Sequence, residues 1–327
     1  MQGSPRISVV IPTYERRDSV ARVLRALVHQ TCPAADYEVI VSINGSDDGT
    51  REMVAAFAAP YDLRAIWQPE RGRAAACNAG IRAARGELIV LLDDDMEPTA
   101  EFLAVHARAH PAGSRLGVLA AVPVVIDGAS PPVAEYIASS FNLHLEKLSR
   151  PDHEIGIRDF YSGNFSIQRD VLFEVGLFDE GFKSYGNEDG ELAIRLRQAG
   201  VRLTYSAEAI ARQHYEKDFE ALARDKIAQG RTSVECALRH PETVPELRIG
   251  TYRQGSRMWR LLRGVLLEAS GPVRSLPNWI TQYVRWLELK RPMGSRARYY
   301  FALDYFYWLG VRSALRENPE LGRRLAI

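Results

Sequence analysis

Four apolar runs in the first 92 residues, each followed by a helical pattern, constrain this chain more than any other feature. ISVVIP (7–12), YEVIVSI (37–43), LRAIWQ (63–68) and ELIVLL (87–92) read as strands. After the first, Val20, Val23, Leu24, Leu27 and Val28 recur at helical spacing behind Asp18, a residue type suited to an N-cap. A short helix is expected around Met53 to Phe57, and AAACNAGIRAA (74–84) is an alanine-rich helix closed by Gly86. Continuous apolar strands separated by helices are buried on both faces, the condition of a parallel sheet with helices on each side. The expected fold is α/β, a doubly wound, mostly parallel sheet. Such sheets bind ligands at the carboxyl ends of their strands. Pro12-Thr13, Asn44 to Thr50, and Asp93 to Asp95 fall at those ends.

The segment IVLLDDDMEP (89–98) ends the fourth strand with three adjacent aspartates. Three carboxylates side by side at a core edge repel one another and require something positive. One reading is a hard divalent cation, Mg²⁺ or Mn²⁺, which prefers oxygen ligands and commonly bridges to a diphosphate. The other is helix capping by Asp94 or Asp95, because MEPTAEFLAVHARAH follows at once.

Five motifs occur in an order that resembles the family-two glycosyltransferases of the GT-A fold. They are the first strand with PTYER, the NGSDDGT turn (44–50), RGRAAACNAG (71–80), LLDDDMEP (91–98), and SGNFSIQRDVLFEVGLFDEGFKSYGNEDGELAIRLRQAG (162–200). The likeness spans residues 6–216 and implies sugar transfer from a nucleoside diphosphate sugar to an acceptor nucleophile. By that resemblance DDD is a D-x-D motif, with Asp95 and Asp93 holding the metal and Asp93 and Asp94 near the nucleotide. Pro12, Thr13, Glu15, Asn44, Arg71 and Arg73 are assigned to the nucleotide as well. The NED segment implies Asp189 as the catalytic base of an inverting enzyme, with Glu188 beside it contacting donor sugar or acceptor. His214, in ARQHYEKD, stands where family members have a histidine that reaches the metal; a structural histidine is the alternative. Gly163 would let backbone approach a sugar and Asn164 could bond a hydroxyl of the acceptor, against the plainer reading of a turn.

Two departures weaken the choice of base. Ile43 and Asn44 replace an acidic pair at the end of the second strand, and Cys77 replaces an arginine. Asn44 offers neutral hydrogen bonds only, so a UDP-sugar is ranked first on family frequency alone. The acceptor class stays open among natural products, glycans and lipid-linked intermediates. Two other readings stand beside the transferase. A nucleotidyltransferase is opposed by PTYERR, which lacks a glycine-rich phosphate loop. A degenerate binding module is opposed by the intact Asp95 and Asp189.

The domain boundary is expected near residue 216, with a catalytic domain over 1–216 and a helical region over 217–327. The formal net charge of +1 hides an asymmetry: residues 251–327 hold 14 Lys/Arg against 5 Asp/Glu. Helical stripes there include Met258, Leu261, Leu262, Val265 and Leu266, expected to dock inward. Arg257, Arg260, Arg263, Arg285, Lys290, Arg291, Arg296 and Arg298 are expected outside. That surface is either a solvated face or a contact for an anionic membrane or acidic carrier. Nucleic acid is not expected, since no recognition motif accompanies the charge. Three cysteines without metal or redox spacing, a start without an apolar signal segment, and no apolar run long enough for a bilayer point to a cytoplasmic protein, at most peripheral to a membrane.

Overall fold

The computed structural model describes residues 5–69, 72–290 and 296–325; Arg71 and Arg291 lie outside the described residues. The chain divides into two compact units. The first comprises residues 1–125, 140–183 and 188–214, and the second 126–139, 184–187 and 215–327.

In the first unit, β1 (Ile7–Thr13), β2 (Tyr37–Asn44), β3 (Asp62–Gln68) and β4 (Leu88–Leu92) coincide closely with the four apolar runs. They pair in parallel, with Val9 opposite both Val39 and Val90. Beyond β4 the strand direction changes. β6 (Leu116–Ala120), β8 (Asn164–Gln168) and β9 (Arg202–Ser206) complete a seven-stranded sheet of order β3-β2-β1-β4-β8-β6-β9. β8 runs antiparallel to both neighbours, so the sheet is mixed but mostly parallel. A smaller sheet forms from β5 (Met96–Pro98), β10 (Ala211–His214) and β7 (Val124–Val125), in the order β5-β10-β7.

Helices cover the large sheet and split the core into two layers. α1 (Arg17–Val28), α2 (Thr50–Ala56) and α4 (Phe102–Arg108) belong with the layer built on Val9, Ile11, Val39 and Val90. α3 (Arg73–Ala83), α6 (Arg169–Glu174) and α7 (Glu188–Gln198) belong with the layer built on Val10, Ile40, Ile89 and Phe165. Each fully buried Val, Leu or Ile in such a layer stabilises the fold by about 1.5–3 kcal/mol.

Two local expectations change. α1 starts at Arg17, so Asp18 lies in its first turn and is not the cap. The Arg17 N–H is instead received by the carboxylate of Asp48, on the loop after β2, at 3.0 Å. The residues after the aspartate triplet form β5 rather than the start of a helix, so Asp94 and Asp95 cap nothing. His106 and His110 are buried packing residues. Ser166 Oγ bonds His106 Nδ1 at 2.7 Å and His110 Nε2 at 2.8 Å, and burial pushes both imidazoles down to about 4.

The second unit contains α8 (Phe219–Arg239), α9 (Arg257–Ala269), α10 (Leu276–Lys290), α11 (Arg296–Glu317) and α12 (Pro319–Leu325), while α5 (Ala134–Leu148) carries residues of both units. α8 and α11 cross at Gly230 and Gly310, where a Cβ on Gly230 would sit 2.0 Å from the Tyr307 carbonyl oxygen. Backbone can approach that closely only where there is no side chain. Asp304 of α11 is a buried hub: Arg263 Nη1 donates to it at 3.0 Å, Trp259 Nε1 at 2.8 Å and Trp308 Nε1 at 3.1 Å. Among the described residues, no helix is long and apolar enough to cross a membrane. The three cysteines are free thiols.

Candidate active site

The end of β4 is where the aspartate triplet meets its positive partners. Arg16, on the turn between β1 and α1, places Nη1 3.3 Å from both Asp94 Oδ1 and Asp95 Oδ2. Arg73, at the first position of α3, places Nη2 2.7 Å from Asp93 Oδ1. Arg16 closes the PTYER segment but is not among the site residues expected from the sequence; the pairing of β1 with β4, which brings their ends together, is what connects it to the triplet.

The three carboxyl groups sit in different surroundings. Asp94 is buried, accepts the Thr13 hydroxyl at 2.7 Å, and is pushed up to about 7 by burial, an effect that Arg16 opposes and Asp95 reinforces. Asp95 accepts from Gln213 Nε2 at 3.2 Å. Asp93 lies against Gly163: its backbone N–H donates to the Gly163 carbonyl at 2.9 Å, and a Cβ on Gly163 would stand 2.4 Å from Asp93 Oδ2. The absent side chain at Gly163 therefore makes room for a carboxylate of this chain, not for the sugar expected there.

Arg73 also joins the triplet to the NED segment. Its Nη1 donates to Asp189 Oδ1 at 2.9 Å and lies 3.8 Å from Glu188 Oε1. Ser162 Oγ donates to the same Asp189 oxygen at 2.5 Å, and the Ser162 N–H reaches Asp189 Oδ2 at 3.4 Å. Burial on its own would lower the Arg73 guanidinium, yet Asp93 and Asp189 hold it well above its ordinary value. Asp93 and Asp189, about a hundred residues apart, thus lie within the span of one guanidinium. Ser162 was not singled out from the sequence, although it adjoins the SGN turn.

The other residues divide. The small sheet brings His214 to the triplet: its backbone N–H donates to the Asp95 carbonyl at 2.9 Å, while its Nε2 bonds Glu97 Oε2 at 2.7 Å. Asn44 Oδ1 accepts from Gln68 Nε2 at 2.9 Å and the Gly72 N–H at 3.1 Å, pinning the loop ahead of α3. Nearby, Ser46, Asp47, Gly49, Arg51, Glu52 and Trp67 line a cleft of about 270 Å³. Pro12 is buried within β1, and Glu15 is exposed with φ 54°, a conformation non-glycine residues rarely adopt. Asn164 does not face the site. Its side chain is buried, donating to the Ala121 and Ala209 carbonyls and bonding His106 Nε2, so it ties β8 into the core rather than meeting an acceptor.

Among the described residues, no three His, Cys, Asp or Glu side chains form a ready metal cage. The donor chemistry nevertheless fits a hard divalent cation. Asp93, Asp94, Asp95, Glu188 and Asp189 supply five carboxyl groups against the guanidinium groups of Arg16 and Arg73. Carboxylate oxygens in excess of their counter-charges are the ligands Mg²⁺ and Mn²⁺ select.

Residues 8–176, just over half of the chain, match the family model described as glycosyl transferase family 2. The chain belongs to that family. Residues 144–217 of this family member also match the model described as the N-terminal domain of galactosyltransferase. It is 30% identical over 273 residues to a validoxylamine A glucosyltransferase of Streptomyces hygroscopicus subsp. jinggangensis, covering 74% of this chain and 63% of that protein. It is 29% identical over 256 residues to the uncharacterized glycosyltransferase YfnE of Bacillus subtilis, covering 64% of this chain and 65% of that one. The chain thus spans somewhat under two thirds of the length of these relatives. Among solved structures, the mannosyltransferase PcManGT of Pyrobaculum calidifontis, in complex with GDP-Man and Mn²⁺, superposes with a TM-score of 0.65 at 21% identity, covering 96% of this chain and 88% of that one. S. aureus TarS residues 1–349 with UDP-GlcNAc gives 0.51 at 14% identity, covering 96% and 92%. Both likenesses concern the fold.

Proposed function

We propose that this glycosyltransferase is a metal-dependent, inverting enzyme that moves a sugar from a nucleoside diphosphate sugar to an acceptor hydroxyl, with Asp189 as general base. The observation that carries the reading is the single guanidinium of Arg73 shared by Asp93 and Asp189. It puts a group suited to the diphosphate and a group suited to the acceptor proton side by side.

In this reading the donor diphosphate lies over the end of β4, and Arg16 and Arg73 turn toward its negative charge. Arg73 is thereby drawn from Asp189, which Ser162 continues to orient through its hydroxyl and N–H. Asp189 takes the acceptor proton as the acceptor oxygen attacks the anomeric carbon. The bond from that carbon to the diphosphate breaks, and its electron pair leaves with the phosphate oxygen. Attack from the face opposite the leaving group inverts the configuration. Glu188, buried beside the base, contacts donor sugar or acceptor. Asp93, Asp95 and His214 would hold Mg²⁺ or Mn²⁺, which when bound neutralises charge on the leaving diphosphate. Asn44 offers the base neutral hydrogen bonds, and a uridine nucleotide is the first candidate. Catalysis is assigned to residues 1–216 and the helical, basic region to 217–327, with the short segments 126–139 and 184–187 grouping with the latter.

The test is a thermal-shift panel of UDP, GDP, TDP and CDP with and without Mn²⁺, because a ligand of the native state raises its melting temperature. Stabilisation by a nucleoside diphosphate that grows with Mn²⁺ and is lost in Asp95→Ala is expected. Metal-dependent stabilisation that survives Asp95→Ala removes the D-x-D assignment, and tighter binding of GDP or TDP overturns the uridine choice.

A further inference from the structure

α9 is turned inside out. Met258, Leu261, Leu262 and Val265 recur at i, i+3, i+4 and i+7, the spacing of a core-facing stripe, yet they are 81, 72, 49 and 57% exposed. The buried face carries Trp259, Arg263 and Leu267 instead. Arg263, expected on the outside, is 3% exposed, ion-paired with Asp304 and stacked on Tyr252 and Trp308. That buried ion pair fixes the rotation of the helix, since turning the leucines inward would strand two charges. The aliphatic stripe is therefore presented outward by design of its opposite face.

Ten of the seventeen large apolar side chains exposed among the described residues lie between 258 and 301. On α10, Trp279, Tyr283 and Trp286 follow the same outward spacing, with Tyr283 and Trp286 stacked at 6.0 Å. Large apolar side chains gathered on the outward face of a helix mark a binding surface. Arg253 and Arg257, just before and at the start of α9, are exposed, and residues 251–327 as a whole carry 14 Lys/Arg against 5 Asp/Glu. Outward aliphatic and indole groups flanked by arginine are the composition of a helix lying in a lipid headgroup layer. A second copy of the chain would bring the same positive charge against itself, which opposes that pairing.

We propose that the outward face of α9 seats in the headgroup region of an anionic bilayer, holding the protein on the membrane without crossing it. The proposal rests on the second unit alone and is independent of the donor and metal reading. It is tested by flotation of the full chain with phosphatidylcholine vesicles, with and without phosphatidylglycerol, at about 50 and 500 mM salt, where exposed charges are screened progressively. Leu261→Glu with Val265→Glu alters solvent-exposed positions and should leave circular dichroism and nucleotide-induced stabilisation unchanged. The expected result is flotation with anionic vesicles only, weakened by salt and reduced at least tenfold in the double variant. Failure to float at low salt overturns the proposal, as does flotation indifferent to lipid charge or to the two glutamates. So does a double variant whose only change, by sedimentation velocity, is the loss of a dimer.

Discussion

Arg73 donates to Asp189 Oδ1 through Nη1 at 2.9 Å and to Asp93 Oδ1 through Nη2 at 2.7 Å. One cation at the first turn of α3 therefore balances two carboxylates to which the proposed reaction gives different tasks. A lysine, a point charge without a planar fork, could not serve both with fixed geometry.

Asp189→Asn retains size and most hydrogen bonding but cannot take a proton. Transfer should fall by about 10² to 10⁴-fold, while nucleotide affinity stays near that of the parent. Near-normal turnover, or a product that keeps the donor's anomeric configuration, excludes Asp189 as the base of an inverting displacement.

Arg73→Ala should behave differently. It removes the counter-charge of both Asp93 and Asp189, so transfer and nucleoside diphosphate affinity should drop together. Because these side chains are partly solvent-exposed, the loss of stability should be modest, about 1–2 kcal/mol. Calorimetric titration with nucleotide decides the matter: an unchanged affinity would mean that the diphosphate does not use this guanidinium.

Acid should destabilise the first unit through His106 and His110. Unfolded histidine titrates near 6.5, whereas burial holds both native imidazoles down at about 4. Between these values the unfolded chain binds more protons, so this contribution is complete above pH 6.5 and is lost as pH falls toward 4. The pair should account for a few kcal/mol, on the order expected from shifts of this direction and size. Urea midpoints at pH 7 and pH 5, compared with a His106→Gln, His110→Gln variant, test it. An equal pH slope in both proteins would assign the loss to other groups.

Gly230→Ala tests the crossing of α8 and α11. In an open helix the change would stabilise by up to about 1 kcal/mol through propensity. Here the new methyl would meet the Tyr307 carbonyl oxygen at 2.0 Å, so the melting temperature should fall by an amount corresponding to about 1–3 kcal/mol. A rise would show that the helices do not touch at this point.

The first four strands were legible because each is a continuous apolar run. Burial on both faces leaves no polar alternation to blur the pattern, and β1 to β4 lie within a residue or two of the runs. The antiparallel insertion of β8 was not legible, since FSIQR says nothing about direction or neighbour. Motif order pointed to Asp189 and the triplet, but their partners came from other elements. Arg16 and Ser162 act through distance in space, and Gly163 makes room for Asp93 where a sugar was expected. Helical periodicity found the stripe on α9 but not its orientation. That orientation depends on Asp304, forty-one residues from Arg263.

The place of β8 in the large sheet has a consequence for synthesis on the ribosome. Strands β1 to β4 can assemble as soon as residue 92 has emerged, since their partners are all early in the chain. The far edge of β4 then waits for residues 164–168, which supply its antiparallel partner. Until then Leu88–Leu92 is an uncovered, wholly apolar edge, the kind of strand on which another chain can pair. Nascent chains halted before residue 164 should aggregate or recruit chaperones, and those extended past Gln168 far less so; equal solubility of the two would mean that β4 is shielded by other means during translation.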